Sequence, residues 1–423
     1  MQKIEIENGT NILSWCPDIE PEALQQMEVI SKLPFVKYCA LMPDAHLGMN
    51  MPIGGVVACE NVIVPDFVGV DIGCGMCAMK SNLNIKDLDE RDFRALFNLI
   101  SQRLPVGFRL NSTNVKNEYK RIYKEKFDYL ITKTISKNNT LSDKYNAIPK
   151  LENIFFDQLG TLGGGNHFCE IQYDDEGTIW VMIHSGSRKI GKLIGDKYNE
   201  MAKDLNKKWH SSCQQIPFLP VDTQEGQCYL MWMEFALQFA FLNRRVMLDV
   251  VKLSFHDYLP HTEWVKIDGV DDDINNIINI HHNFASLESH MGKNYWIHRK
   301  GATRAFDGMT GIIPGSMGSK SFIVKGKGNK LSLMSCSHGA GRKMGRREFS
   351  RLMKDKYDDI LDEMKDKGIV HSEFGKFDYG KDKGLKDVSE APEAYKNIDS
   401  VMVNQADLVD IMVELKPKVS IKG

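Results

Sequence analysis

The sequence predicts an α+β fold with several glycine-bearing turns around one cleft. Short apolar runs interrupted by glycines occupy residues 38–80 and 278–340, which is the pattern of strands and tight turns. Residues 225–258 instead repeat apolar side chains at helical spacing over a long stretch. Strands and helices do not alternate regularly enough for a series of βαβ units, so a mixed arrangement is expected.

The other elements follow from the same periodicities. A short helix is predicted over 21–33 and another over 86–103, where apolar residues recur at helical spacing. Residues 151–190 return to strand-like patterns, as in the run TIWVMIHSG. Residues 343–366 are predicted to be helical and are highly charged.

Composition places the chain among soluble globular proteins. Of its 423 residues, 42% are hydrophobic and 26% are charged. The formal net charge of −2 is lower than that of proteins that coat nucleic acid through an overall positive field. Any nucleic-acid binding must therefore come from a local patch.

The cysteines and the apolar runs of the sequence indicate the cellular compartment in which the protein works. The nine cysteines follow no repeated spacing that would indicate a disulfide framework. The N-terminus lacks the apolar core of a signal peptide, and the most apolar run, 228–242, is too short and too polar to span a bilayer. We therefore expect a reduced, cytoplasmic protein that does not bind a membrane.

A lysine-rich stretch over residues 116–150 has two interpretations. It carries nine Lys or Arg and is lightly amphipathic. A solvated helical face is the favoured interpretation, and an RNA-contact surface is the alternative.

The sequence has neither of the usual phosphate-binding loops. Neither G-x-x-x-x-G-K-[ST] nor G-x-G-x-x-G occurs, so a bound nucleotide would need another kind of site. Cys74 and Cys77 form one C-x-x-C pair, but no second pair accompanies it as a zinc ribbon requires.

Five segments carry potential metal ligands among glycines, small residues or amides. Glycines beside these residues allow sharp turns and close approach of a ligand. Each segment alone is more often structural, but together they supply Asp, Cys and several His, a mixture suited to one or two divalent transition metals. The segments are 70–75 (VDIGCG), 163–167 (GGGNH), 183–188 (IHSGSR), 281–283 (HHN) and 337–342 (SHGAGR).

His338 differs from the other histidines in its surroundings. It follows an apolar, strand-like run and precedes Gly339, Ala340 and Gly341, whose amides could form a nest for an anion. A neutral imidazole there could attack a phosphate, and Arg342 could bind its oxygens. A metal ligand or a structural turn histidine is the alternative.

Eight motifs in this order resemble the RtcB RNA ligases, in the form of the bacterial branch. The resemblance runs from about residue 40 to Gly423. The motifs are PDAH (43–46), PIGGV (52–56), VDIGCGM (70–76), GGNHF (164–168), HSGSR (184–188), HN (282–283), HRKGA (298–302) and SHGAGR (337–342).

The resemblance implies one domain over residues 1–423, with mixed β-sheets and helices around a deep central metal and nucleotide cleft. It implies two Mn²⁺ ions, with Cys74 bridging them, and GTP as the nucleotide that guanylates His338. The implied metal ligands are Asp71, Cys74, His167, His184 and His282. The implied GTP-binding residues are Asn166, Phe168, Glu170, Asn283, Pro314, Ser316, Ser321, Gly339, Ala340, Gly341, Tyr395 and Lys422. Residues that we expect to bind RNA or phosphate are Arg188, Arg299, Lys300 and Arg342.

The implied activity joins an RNA 2′,3′-cyclic phosphate or 3′-phosphate end to a 5′-hydroxyl end, in RNA repair or tRNA splicing, with an archease-type activator as a possible partner. Two alternatives stay open: a dinuclear-metal RNA phosphoesterase without ligation, and a catalytically inactive RNA-repair scaffold. One departure from the family is that His46–Met51 lacks its usual second glycine. This departure leaves the proposed ligands intact but puts the choice of RNA substrate in doubt.

Overall fold

The computed structural model describes residues 1–136, 148–213, 215–267, 270, 276–377 and 380–423. This part of the chain contains two large mixed sheets, two small sheets of two strands each, and ten α-helices. The α+β prediction is confirmed, whereas the assignment of residues 1–423 to one domain stays a prediction. The strands are β1 (Gln2–Ile4), β2 (Ile12–Ser14), β3 (Val36–His46), β4 (Ile53–Cys59), β5 (Val62–Ile63), β6 (Gly75–Asn84), β7 (Phe168–Tyr173), β8 (Thr178–Ser185), β9 (Leu219–Pro220), β10 (Trp264–Val265), β11 (Ile277–His281), β12 (Asn283–His290), β13 (Lys293–Lys300), β14 (Ala302–Arg304), β15 (Thr310–Ile313), β16 (Ser321–Gly326), β17 (Ser335–Ser337), β18 (Val370–His371) and β19 (Val409–Lys422).

The helices differ widely in length, from four to 35 residues. They are α1 (Pro21–Ser31), α2 (Pro65–Val68), α3 (Glu90–Arg103), α4 (Thr113–Ser136), α5 (Leu151–Gln158), α6 (Arg188–Lys208), α7 (Gln224–Tyr258), α8 (Arg346–Leu352), α9 (Tyr357–Asp366) and α10 (Ile398–Asn404). Among them, none has an apolar stretch that could cross a bilayer.

The sheets are ordered by long-range pairing. One has six strands in the order β1-β2-β3-β4-β13-β12. The other has nine, of which seven follow the order β10-β6-β8-β7-β19-β16-β15, while β11 pairs with β6 and β18 pairs with β19. Almost all pairs are antiparallel; the exceptions are β2 with β3 and β18 with β19. Because β11 lies in one sheet and β12 in the other, the short step between them, at His282, joins the two sheets.

Helix α7 begins at a capped N-terminus and is buried along most of its length. The Thr223 hydroxyl accepts a hydrogen bond from the Gly226 amide at 3.2 Å, which satisfies one of the free donors of the first turn. Trp232, Phe235 and Phe239 from this helix are buried in the largest apolar cluster. The predicted helix over 225–258 is therefore confirmed, with core packing as its role.

Most other predicted elements are confirmed, with one correction. The helices expected over 21–33, 86–103 and 343–366 are present, the last as α8 and α9. The strand-like assignment of 151–190 is wrong at its start, where α5 forms, because Leu151 and Phe155 lie one helical turn apart and are both buried. Helix α6 was not predicted.

The lysine-rich stretch begins in helix α4, and residues 137–147 of it lie outside the described residues. Lys116 pairs with Asp157 at 2.6 Å, and Lys120 pairs with Glu152 at 2.6 Å. Carboxylates therefore already neutralise part of the positive charge, which favours the solvated face over an RNA-contact surface.

Candidate functional site

The predicted metal ligands lie where neighbouring strands of the nine-stranded sheet end. In the registry of the sheet, Met76 of β6 is opposite His184 of β8, and His184 is opposite Phe168 of β7. Gly75 of β6 is opposite His281 of β11 on its other side. Cys74, His167 and His282 each lie directly before or after these strands. The pairing therefore brings residues from four separate segments to one edge of the sheet.

Two side chains from helix α7 hold this edge in place. The Arg244 guanidinium is fully buried and donates to the backbone oxygens of Gly73 and Ser185, both at 2.9 Å. The Asn243 amide donates to Gly186 O at 3.2 Å and accepts from the Gly160 amide at 2.7 Å. These bonds tie the ligand-bearing loops to a rigid helix, as preorganised sites require. Sequence reasoning missed both residues.

Five side chains form two groups that share the Cys74 thiol. Cys74, His184 and His282 form one group, and Asp71, Cys74 and His167 form the other; within each group the potential ligand atoms lie within 4.8 Å of one another. The Cys74 Sγ is 3.2 Å from His184 Nε2 and 3.3 Å from His167 Nε2. A thiolate in this position can bridge two metal ions.

Backbone carbonyls fix the orientation of two of these imidazole rings. The Nδ1 atom of His167 is 3.0 Å from Leu162 O, and that of His184 is 3.0 Å from Asn166 O. Because a carbonyl only accepts, Nδ1 carries the hydrogen in both rings, and the Nε2 lone pairs face Cys74. His281 points elsewhere, with its Nδ1 atom 2.9 Å from Gly73 O. Of the two adjacent histidines, His282 is therefore the one that joins the cluster.

The chemistry of these donors fits divalent transition metals. Burial raises the pKa of the Cys74 thiol well above its usual value, and it lowers the pKa of His184 and His282 well below the usual value for histidine. Burial therefore disfavours the charged forms of these side chains unless a bound cation compensates them. The buried Oδ1 of Asp71 has no hydrogen-bond partner among the described residues. Sulfur, imidazole and carboxylate ligands with an unsatisfied oxygen suit Zn²⁺, Fe²⁺ or Mn²⁺.

His338 lies beside the metal cluster and is held by a buried carboxylate. Its ring centroid is 4.7 Å from that of His282. Asp44 Oδ2 is 2.6 Å from His338 Nδ1, and it accepts further hydrogen bonds from the backbone amides of His338 at 3.1 Å and Gly339 at 3.3 Å. Asp44 is fully buried. The carboxylate therefore keeps the hydrogen on Nδ1 and leaves the Nε2 lone pair available as a nucleophile.

A cavity of about 260 Å³ opens beside His338. Most of the residues that were predicted to bind GTP line it. They are Asn166, Phe168, Pro314, Ser316, Gly339, Ala340, Gly341, Tyr395 and Lys422, together with Arg342 and His184.

Three predicted GTP-binding residues do not line this cavity. Glu170 is buried behind Phe168 and accepts hydrogen bonds from Ser420 Oγ at 2.9 Å and Gln172 Nε2 at 2.8 Å. The Ser321 hydroxyl contacts the same Gln172 amide at 3.1 Å. The Asn283 side chain joins Asp71 O, at 3.2 Å, to the Gly301 amide, at 2.8 Å, so it braces the loop that carries Asp71.

A buried charge cluster closes one side of the cavity. Glu390 pairs with Lys422 at 2.7 Å, Arg346 at 2.8 Å and Arg342 at 3.3 Å, and it accepts a hydrogen bond from Tyr395 at 2.7 Å. Burial raises the pKa of Glu390, but the charges of the three cations outweigh it and lower the pKa to about 2. Three cations around one carboxylate leave net positive charge toward the cavity, which suits a phosphate. Sequence reasoning missed Glu390.

A larger cavity of about 840 Å³ adjoins the first and reaches the candidate ligand group of Asp71 and His167. Asp71, His167 and Arg188 line it. The Nε atom of Arg188 is buried and lacks a partner in the described part of the chain, while its Nη1 atom lies 3.3 Å from His167 Nδ1. The guanidinium therefore brings positive charge to this cavity, which suits an anion.

Two residues that were expected to contact RNA are buried and bound to other groups of the protein. The Arg299 guanidinium is fully buried and binds both oxygens of Glu288, at 2.6 and 2.9 Å. The Lys300 ammonium donates to Met49 O at 2.5 Å and Asp66 O at 3.1 Å, and burial lowers its pKa to about 8. Neither side chain reaches the surface, so contact with RNA would require these bonds to break. Arg342 does face the smaller cavity.

Comparison with known proteins yields one family. A family model described as "tRNA-splicing ligase RtcB" matches residues 26–423. The RNA-splicing ligase RtcB of Escherichia coli K12 is 35% identical over 414 residues, which cover 96% of this chain and 95% of that protein. The tRNA-splicing ligases RtcB of Nanoarchaeum equitans and Thermococcus kodakarensis are 31% and 30% identical, and each alignment covers 96% of this chain and 92% of the relative.

Proposed function

The chain belongs to the RtcB family, and from that premise we propose that it is an RNA ligase that uses GTP and two Mn²⁺ ions. It joins an RNA 3′-phosphate or 2′,3′-cyclic phosphate end to a 5′-hydroxyl end through GMP carried on His338. The names of its relatives, which are RNA-splicing and tRNA-splicing ligases, support ligation of RNA.

The observation that carries the proposal is the pairing of His338 with Asp44. A buried carboxylate at 2.6 Å from Nδ1 keeps the hydrogen there and stabilises the positive charge that the ring gains during attack. The opposite nitrogen, Nε2, is then the nucleophile. Neither hydrolysis of a phosphate by a metal-bound water nor simple RNA binding requires a histidine prepared in this way.

The reaction follows in three steps after any cyclic phosphate has been opened by water to a 3′-phosphate. His338 Nε2 attacks the α-phosphorus of GTP, so that a nitrogen–phosphorus bond forms and pyrophosphate leaves. An oxygen of the RNA 3′-phosphate then attacks the same phosphorus, which breaks the bond to His338 and gives an RNA 3′-end capped with GMP. The RNA 5′-hydroxyl finally attacks the 3′-phosphate, loses its proton and releases GMP.

Other residues of the chain would hold the metal ions, the triphosphate and the RNA. When bound, Mn²⁺ would screen the charge of the phosphates. One ion would be held by Asp71, Cys74 and His167, and the other by Cys74, His184 and His282. The cations around Glu390 and the turn after His338 bind the triphosphate in the smaller cavity. In the larger cavity, Arg188 binds a phosphate of the RNA.

We also propose a partner protein and a cellular location. An archease-type activator and a cytoplasmic location are proposed from the resemblance and from cysteine usage. All nine cysteines are free and buried, which fits a reducing compartment.

A joining assay tests the function against both alternatives. One RNA carries a 3′-phosphate and the other a 5′-hydroxyl, and the mixture is incubated with Mn²⁺ in the presence or absence of GTP. We expect a joined product only with GTP and none with His338→Ala, while the exposed His256→Ala serves as the matched control. Phosphate release without GTP would instead indicate a phosphoesterase, and RNA binding without any reaction would indicate a scaffold.

A further inference from the structure

Phe108 is a large aromatic residue whose side chain lies in solvent. Its exposed fraction is 97%, whereas the next most exposed large hydrophobic residue in the described part of the chain, Val403, reaches 74%. Isolated exposed hydrophobic residues are common, so exposure alone indicates nothing. The position of Phe108 indicates a binding role, because this residue lines the larger cavity together with the candidate metal ligands Asp71 and His167.

The loop that carries Phe108 is held firmly on both sides. Before it, the Gly107 amide donates to Gly163 O at 2.9 Å, which ties the loop to the segment that precedes His167. After it, the Asn111 side chain donates to Leu159 O at 2.7 Å and Phe156 O at 3.0 Å. Gly107 has a φ of 62°, a left-handed conformation that favours glycine and turns the chain outward. The phenyl ring is therefore presented by a fixed backbone and not by a loose loop.

Cations suited to phosphate lie around the same cavity. Arg188 and the exposed Lys376 line it, and the exposed Arg109 directly follows Phe108 in the chain. Three carboxylates also line it, those of Glu373, Asp387 and Glu390, of which Glu390 is already paired with three cations. An exposed aromatic face beside cations is the combination with which proteins bind single-stranded nucleic acid, because the ring stacks on a base and the cations bind the backbone. A purely apolar partner would not require the cations.

We propose that Phe108 is a stacking platform for the base of a terminal nucleotide of the RNA substrate, whose phosphate lies toward Arg188. The inference rests on the proposed function, since it takes RNA as the ligand of this cavity. It adds a residue that determines how the RNA end is positioned before the chemical steps. Phe108 itself takes no part in guanylation, because His338 lies at the smaller cavity, which Phe108 does not line.

The test uses short RNAs in which the fluorescent base 2-aminopurine replaces the terminal base. One RNA carries it at a 3′-phosphate end and the other at a 5′-hydroxyl end, so the two arms show which strand stacks. We expect the wild-type protein with Mn²⁺ to quench one of them, and Phe108→Ala to lose the quenching and to bind that RNA more weakly, on the order of 10-fold. Phe108→Trp should retain both properties, whereas Phe108→Leu should retain neither, because leucine is apolar but has no π face.

Two controls separate this inference from the proposed function. Tyr129→Ala removes another exposed aromatic side chain, on α4, that does not line the cavity, and it should leave quenching unchanged. Guanylation of His338 needs no RNA, so Phe108→Ala should be labelled by GTP as fast as the wild type. Quenching and affinity in Phe108→Ala equal to those of the wild type would overturn the inference, even if joining proceeds. Quenching that depends on Phe108 without any guanylation would support the stacking platform and remove the ligase mechanism.

Discussion

Replacement of Asp44 should slow guanylation of His338 without unfolding the protein. Asp44 Oδ2 accepts three N–H groups, one from the imidazole and two from the backbone. In Asp44→Asn an amide oxygen can still accept, but the negative charge is gone. A charge-assisted hydrogen bond is worth about 1.5–3 kcal/mol and a neutral one about 0.5–1.5 kcal/mol. The transition state, in which the ring becomes positive, should therefore lose roughly 1–2 kcal/mol, or about 5- to 30-fold in rate.

Asp44→Ala should be slower still, because nothing then holds the hydrogen on Nδ1. Removal of the orienting aspartate costs on the order of 10⁴-fold in a Ser-His-Asp triad, and we expect roughly 10³-fold here. Asp44→Asn should cost less, because the backbone amides of His338 and Gly339 hold an amide oxygen toward Nδ1 and so keep the tautomer. The assay is the single-turnover formation of protein-bound label from GTP that is radiolabelled at the α-phosphate. Asp174→Asn is the matched control, because this buried carboxylate binds Trp180 Nε1 at 2.9 Å at the opposite end of β7 and β8. A folded Asp44→Ala protein that is labelled at the wild-type rate would refute the reasoning.

Three further changes test other parts of the site. Cys74→Ala should lose both metal ions, measured as metal per chain by mass spectrometry, while the buried Cys77→Ala retains them; full occupancy in the former would contradict the bridging role. Burial and its neighbouring cations set the folded-state pKa of Glu390 at about 2, below the usual 4.5. Its contribution of roughly 3 kcal/mol should therefore be complete above pH 4.5 and be lost as the pH falls toward 2. Urea unfolding should show Glu390→Gln to be less stable than the wild type at pH 6, with a smaller difference at pH 3; a difference independent of pH would oppose this. Arg299→Met removes the charge that pairs with the buried Glu288 and should lower the free energy of unfolding by about 3–5 kcal/mol without changing the KM for RNA. A raised KM at normal stability would instead return this residue to the RNA-binding surface.

The sequence predicts the ligand types better than it predicts what surrounds them. Asp71 and Cys74 stand near glycines, and His282 directly precedes Asn283, so the local pattern of all three was visible. Asp44 lies in the PDAH motif, but its contact with His338 spans 294 residues, and nothing in either segment specifies that distance. The environment of Glu390 is hidden in the same way, because two of its cations lie on the 342–346 segment and the third, Lys422, lies near the end of the chain.

Periodicity also has limits where elements are short or where the buried face is not known. Helix α5 has eight residues, too few to separate a helix from a strand by its apolar pattern. Helix α6 could have been found, since Ile190, Ile194 and Tyr198 recur every fourth residue and are buried. Arg299 lies on a strand whose side chains alternate between two faces, and one sequence does not reveal which face is inside.

The central claim is that His338 carries GMP. The most direct measurement incubates the protein with Mn²⁺ and GTP radiolabelled at the α-phosphate, denatures it, and tests the retained label for stability in acid and alkali. We expect one label per chain that is lost in acid, survives alkali, is absent from His338→Ala and moves to RNA when a 3′-phosphate end is added. Absence of label in a protein with metal bound, or label that persists in His338→Ala, would contradict it.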